Sequence, residues 1–179
     1  MKNTATKTII YSGFFTALGV LFPMIFHAFG AISGQTFLPM HIPVLIAGLL
    51  VSPVCGVITG VLSPMLSCFI TNMPTVFKMP FMCIELAVYG LSSGLFSRLF
   101  SSRIKSKTAS IYASLVCAQI LGRLANLLCT FLAVNILGIT AKGISVNLAL
   151  LSIPAGFIGI LIQWVVIPPI VRILAKIRA

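Results

Sequence analysis

The sequence predicts an all-α integral membrane protein with six transmembrane helices and with both the N and C termini in the cytoplasm. Of the 179 residues, 59% are hydrophobic and only 7% are charged, and the mean hydropathy is +1.18. A soluble domain carries about 25% charged residues. Because so few charges cannot cover a water-facing surface, composition excludes a soluble globular domain, a disordered chain and a disulfide-framed secreted module.

Six apolar segments define the expected helices of a single membrane domain over residues 1–179: 9–29, 38–52, 54–71, 79–101, 108–133 and 146–174. A complete span takes about 20 residues. Lys2 and Lys7 precede the first segment as they would in a signal peptide, but no small-x-small cleavage site follows, so we expect a first span. The short second and third segments meet at Pro53. We expect kinked or tilted helices there, because backbone polar groups in lipid must be paired within the chain.

The basic residues predict the orientation of these helices. The formal net charge is +11, from twelve Lys or Arg and one acid, Glu85. With both termini inside, only Lys78 and Lys142 lie outside, and nine basic residues lie inside: Lys2, Lys7, Arg98, Arg103, Lys105, Lys107, Arg172, Lys176 and Arg178. This bias requires an even number of spans. Because membrane orientation accounts for the positive net charge, we expect no nucleic-acid partner.

Small residues at helical spacing indicate where helices approach one another in the bilayer. They recur on the first, third, fourth and sixth helices: Gly13 and Ala17; Gly56, Gly60, Ser63 and Ser67; Gly90 and Gly94; Ser152, Gly156 and Gly159. Packing within the chain is the ordinary interpretation of each face. The first helix is the best candidate for contact with a separate membrane protein, because a peripheral helix has the most free surface.

Two ionisable residues lie well inside the predicted spans. Glu85 and Tyr89 are one turn apart on the fourth helix, and Gln119, Arg123 and Asn126 share one face of the fifth. A charge near the bilayer centre costs about 2.5–3.5 kcal/mol, so such residues are paired or face a wet cavity. We expect these side chains to line a ligand cavity that opens to the outside. A structural ion pair between Glu85 and Arg123 is the alternative, and the two can coexist.

The outer loops contribute further candidate ligand contacts: Gln35, His41, Asn72, Ser145 and Asn147. Gln163 lies near the cytoplasmic side and, with Trp164, is interpreted as an interfacial anchor. The sequence has no H-E-x-x-H, G-x-S-x-G or P-loop motif, and a single acid cannot form paired carboxylates. We therefore expect no enzyme activity, no metal and no cofactor, and energy for uphill transport would have to come from another subunit.

The chain resembles the substrate-binding S components of energy-coupling factor (ECF) transporters in three runs: PMHIPVLIAGLLVSPVCGVITGVLSPMLSCFITNMP, MCIELAVYGLSSGLF and LGRLANLL. The resemblance implies a small multi-pass protein of a prokaryotic plasma membrane. Such a protein captures a vitamin or similar micronutrient from outside and joins one membrane scaffold subunit and two ATPases. It then carries the substrate inward by toppling in the lipid bilayer.

The resemblance also implies roles for particular residues. The family pocket is built by helices four to six and the outer loops, where Glu85, Tyr89, Arg123, Asn126 and Asn147 fall. Gly13 and Ala17 match the spacing of a small-residue motif that contacts the scaffold subunit, although the family commonly has Ala at both positions.

Two other functions remain open from the sequence. The chain could work alone as a facilitative or proton-coupled carrier, which uptake into liposomes holding only this protein would reveal. It could also be a membrane assembly protein without a ligand, in which Glu85 and Arg123 are purely structural. A saturable ligand that raises thermal stability would count against that second alternative.

Overall fold

A computed structural model describes residues 2–27, 36–136, 138 and 145–178. Within these ranges the chain forms seven α-helices: α1 (Lys2–His27), α2 (His41–Leu50), α3 (Pro53–Thr71), α4 (Met79–Arg103), α5 (Lys107–Asn135), α6 (Val146–Ala155) and α7 (Phe157–Arg178). The all-helical prediction is confirmed for the part of the chain that the structure describes.

Serine side chains begin three of the helices. Ser52 accepts a hydrogen bond from the Cys55 amide at 3.1 Å, directly before Pro53 in the first turn of α3. Ser106 and Ser145 cap α5 and α6 in the same way. Such caps satisfy amide donors that have no partner within the helix. Short polar signals therefore set these helix boundaries within an otherwise apolar sequence.

The short helix α2 lies at the centre of the bundle. Its residues from His41 to Gly48 are all buried, and it packs against α1, α3, α4 and α7. Ten residues extend about 15 Å, roughly half of the hydrocarbon thickness. The predicted second segment, 38–52, therefore forms a buried core helix that is too short to cross the membrane by itself.

Glycines allow α3 and α4 to pack with their backbones in contact. A Cβ atom at Gly56 would lie 2.5 Å from the Gly90 carbonyl oxygen, and one at Gly60 would lie 2.5 Å from the Leu86 carbonyl oxygen. Real side chains do not tolerate such distances. For these two helices, the structure supports packing within the chain as the interpretation of the small-residue faces.

The predicted sixth segment, 146–174, is divided into two helices. Gly156 interrupts it, two residues after Pro154, which has no amide hydrogen to donate to the preceding turn. In the part of the chain that the structure describes, five helices are long and apolar enough to cross a membrane, namely α1, α3, α4, α5 and α7, whereas α2 and α6 are shorter. The number of six complete spans thus stays a prediction, as do the cytoplasmic termini.

Candidate functional site

A cavity of about 570 Å³ opens at one end of the helix bundle. Its wall is formed by the end of α1, the starts of α2 and α4, the residues that follow α3, the second half of α5, and α6. The polar or charged residues in that wall are His41, Ser67, Thr75, Lys78, Glu85, Arg123, Asn126, Thr130, Ser145 and Ser152. The volume lies within the usual range for small-molecule pockets.

The Glu85 carboxylate joins α4 to α5 at this wall. Its Oε1 atom accepts a hydrogen bond from Arg123 Nη1 at 3.1 Å, and its Oε2 atom accepts one from Asn126 Nδ2. The Thr130 hydroxyl donates to Asn126 Oδ1 at 3.3 Å, which fixes the direction of the amide group. The Glu85 side chain is only 4% exposed. The structure therefore brings together three of the residues predicted on the fourth and fifth helices. Glu85 and Arg123 form an ion pair beside the cavity, and Asn126 donates a hydrogen bond to Glu85.

Arg123 keeps unused donors after it has paired with Glu85. Its Nε and Nη2 atoms are buried and have no hydrogen-bond partner among the described residues. The Nη2 atom lies against the interruption between α6 and α7, since a Cβ at Gly156 would be 2.6 Å from it. Any side chain at Gly156 would displace the guanidinium group, so this glycine leaves room for the arginine.

His41 completes the buried polar cluster at the start of α2. Its Nε2 atom lies 3.8 Å from Glu85 Oε1, and its ring meets the Tyr89 ring edge-on with centroids 4.9 Å apart. Tyr89 itself is 1% exposed, packs beneath the histidine, and does not line the cavity. The structure thus places Tyr89 behind His41 and not in the cavity wall where it was expected, and its contact with a ligand stays a prediction.

Gln119 belongs to a different polar cluster, on the side of α5 that faces α7. Its Nε2 atom donates to Gln163 Oε1 at 2.9 Å, and its Oε1 atom accepts from Trp164 Nε1 at 2.8 Å. Gln163 is 1% exposed. The interpretation as an interfacial anchor is thus incorrect for Gln163, which is buried against α5, whereas the Trp164 ring is exposed and only its Nε1 atom bonds to α5.

Two further candidates do not line the cavity, and a third lies outside the described residues. Asn72 is exposed and ends α3 in a left-handed conformation (φ 55°), a position that asparagine tolerates. Asn147 is exposed near the start of α6 and does not line the cavity, whereas Ser145 does. Gln35 lies outside the described residues.

Sequence reasoning missed several residues of the cavity wall. Thr130 lies one turn after Asn126 and extends the polar face of α5. Lys78, Phe81 and Met82 precede Glu85 by seven, four and three residues, and they therefore share its face of α4. Counting three, four and seven residues from Glu85 and Arg123 along their helices would have identified all four of these cavity residues.

The small-residue pair of α1 points away from the bundle. Gly13 and Ala17 are exposed, and a Cβ at Gly13 would meet no atom within 4 Å. The neighbouring Ser12 and Thr16 are buried, on the adjacent face of the helix. This surface is therefore not used for packing among the described residues.

Comparison with known proteins was made on the whole chain. The family model of the ECF transporter substrate-specific component matches residues 7–171. Neither the curated proteins nor the solved structures yielded a significant match. The family match covers all of the cavity wall and nearly all of the helical bundle. On this evidence the chain belongs to the family of substrate-specific components of ECF transporters.

Proposed function

We propose that this protein captures a vitamin or a similarly small, water-soluble micronutrient outside a prokaryotic cell and delivers it to an ATP-driven ECF import complex. The main support is the cavity at the Glu85–Arg123 pair, in a chain whose family is that of substrate-specific components. If the Glu85–Arg123 ion pair were purely structural, it would need no cavity beside it. A cavity of about 570 Å³ beside unused arginine donors is what a ligand site requires.

The orientation of the cavity supports capture from outside. The cavity lies where α1 ends and α4 begins, and Lys78 is the basic residue at that end of α4. At the opposite end of α4 and the start of α5 lie Arg98, Arg103, Lys105 and Lys107. Basic residues collect on the cytoplasmic side of membrane proteins. The proposed orientation therefore directs the cavity away from the cytoplasm.

The exposed face of α1 supports assembly with a membrane scaffold subunit. Gly13 and Ala17 offer a flat strip on which a second helix can approach closely. The sequence has no nucleotide-binding P-loop, so two ATPase subunits would supply the energy through that scaffold. The rest of the apolar surface would contact the lipid bilayer.

Uptake measurements test this function. Cells that produce this chain together with a scaffold subunit and two ATPases should accumulate the substrate, whereas cells that produce the chain alone should bind it without accumulating it. Liposomes that contain only the purified chain serve as the control. Substrate accumulation by those liposomes would contradict the proposal and favour the stand-alone carrier. Absence of any saturable ligand would favour the assembly protein.

A further inference from the structure

We infer that the substrate is a small monocarboxylate with a largely apolar body, bound through the free edge of Arg123. This inference rests on the proposed capture function and adds the chemical class of the ligand. It also gives the ion pair a specific role, which is contact with a ligand anion through Arg123 and not with a ligand amine through Glu85.

Glu85 is already occupied by protein donors. One carboxylate oxygen accepts from Arg123 and the other from Asn126, and His41 lies 3.8 Å from the first. The Glu85 side chain is only 4% exposed, so a ligand ammonium group would find little room beside these donors. A second cation at Glu85 would also share the counter-ion on which the buried Arg123 charge depends, which is costly.

Arg123 is the member of the pair with capacity left. Glu85 uses Nη1, and the two unpartnered atoms, Nε and Nη2, are the adjacent donors of one edge of the planar group. Such an edge matches the two oxygens of a carboxylate in a bidentate arrangement. Buried donors without acceptors are unfavourable, so a ligand carboxylate would recover a free energy that the empty site forgoes.

The net charge of the cavity wall also favours a carboxylate ligand. Among the described residues that line it, Glu85 carries the one negative charge, and Arg123 and Lys78 carry two positive charges. With a neutral His41, the wall has a net charge of +1, which one carboxylate would balance. A cationic ligand would add to the excess.

Apolar side chains form much of the remaining wall and would hold the body of the ligand. They include Leu38, Met40, Met73, Phe81 and Met82. The ligand therefore needs only one strongly polar end. Its other end is expected to be aliphatic, aromatic or a thioether, in contact with the flexible methionines.

The helix α6 explains how a carboxylate would reach the free edge. Gly156 lies against Nη2, and none of the residues of α6, from Val146 to Ala155, is buried. A helix held by so little buried surface can be displaced at low cost. A small outward shift of α6 about Gly156 would uncover Nη2, the outer donor of that edge.

Matched pairs of a carboxylic acid and an uncharged analogue test the inference on the unmodified protein. The probes are nicotinate against nicotinamide, pantothenate against panthenol, and biotin against biotinamide, with thiamine as a cationic probe. Binding to the purified protein is measured by calorimetry and by thermal shift, and co-purifying molecules are identified by mass spectrometry. We expect an acid to bind and its uncharged partner to bind roughly ten- to a hundredfold more weakly.

Two variants connect this preference to Arg123. Arg123→Lys keeps the positive charge opposite Glu85 but removes the two adjacent donors that bind a carboxylate in a bidentate arrangement. It should therefore reduce acid binding by roughly tenfold or more while the protein stays folded. Lys78→Gln, at the cavity mouth, should reduce acid binding less.

The outcomes separate the ligand class from the capture function. Tight binding of thiamine or of an amide, unchanged in Arg123→Lys, would overturn the carboxylate assignment and leave capture intact. If no probe binds and no small molecule co-purifies, both the assignment and the capture function are contradicted.

Discussion

Glu85 is the side chain around which the polar interior is arranged. It is the only acid in the sequence, and donors from α5 hold both of its oxygens. A buried carboxylate is tolerated here because its charge is compensated by Arg123 and each of its oxygens accepts a hydrogen bond. The pair thus stabilises the contact between α4 and α5 and also orients the guanidinium group beside the cavity.

Breaking the pair from either side should destabilise the protein. Glu85→Gln leaves Arg123 without its counter-ion, and Arg123→Gln leaves Glu85 without its own, so each should lose roughly 3–5 kcal/mol. The double variant should lose less than the sum of the two single losses, because it leaves no buried charge uncompensated. Thermal unfolding of the purified proteins in detergent measures this, with Lys78→Gln as a control. Additive losses would mean that the two charges are not coupled.

The residues of the site were predictable where their chemistry was unusual for a membrane. Glu85, Arg123 and Asn126 stood out because ionisable or amide side chains at helical spacing are rare in apolar segments. Tyr89 was misplaced because spacing gives the face of a helix but not what covers it, and His41 lies over its ring. Gln119 was misplaced because the acceptor for its amide, Gln163, is 44 residues away on another helix.

Helix packing depends on glycines that serve different surfaces. Gly56 and Gly90 bring α3 and α4 into backbone contact, whereas Gly13 has no neighbour. The two patterns look alike in the sequence, because small residues recur at helical spacing both where helices of this chain pack together and where a helix faces another protein. The structure distinguishes them by what a side chain would meet.

Two leucine substitutions should separate these surfaces. Gly13→Leu should fold and bind ligand like the parent protein but fail to assemble with the scaffold and ATPase subunits, because it fills the strip needed for close approach. Gly56→Leu should lower the melting temperature and the yield, because the leucine would clash with the Gly90 backbone. Co-purification of the complex, ligand titration and thermal unfolding provide the measurements. Normal assembly and uptake by Gly13→Leu would show that this face does not bind the scaffold.

Pro53 correctly marked the boundary between the second and third predicted segments, because α3 begins there. The extents of the individual helices were harder to predict. Hydropathy predicted a span over 38–52, yet α2 is only His41–Leu50 because the chain reverses at Ser52 and Pro53. Hydropathy likewise joined α6 to α7, since an interruption at one glycine leaves the apolar pattern unchanged. Apolar composition reports burial, and a helix buried in protein looks like one buried in lipid.

For the whole molecule, the distribution of basic residues predicts the orientation in the membrane. Thr75 is exposed at the cavity end, and Lys105 is exposed at the opposite end. Thr75→Cys should react with a membrane-impermeant maleimide in intact cells, whereas Lys105→Cys should react only after lysis. The parent chain, which has five native cysteines, gives the background. The reverse pattern would place the cavity on the cytoplasmic side.

The packing beneath His41 has a consequence for how cargo leaves. Below the cavity, Tyr89, Leu86, Leu115 and Ile167 are fully buried, and the glutamines of α5 and α7 bond to each other. Among the described residues, this packing lies between the cavity and the opposite end of the bundle. Under the proposed capture function, a substrate would then leave through the opening by which it entered. Delivery to the cytoplasm would require the protein to bring that opening to the other side of the membrane.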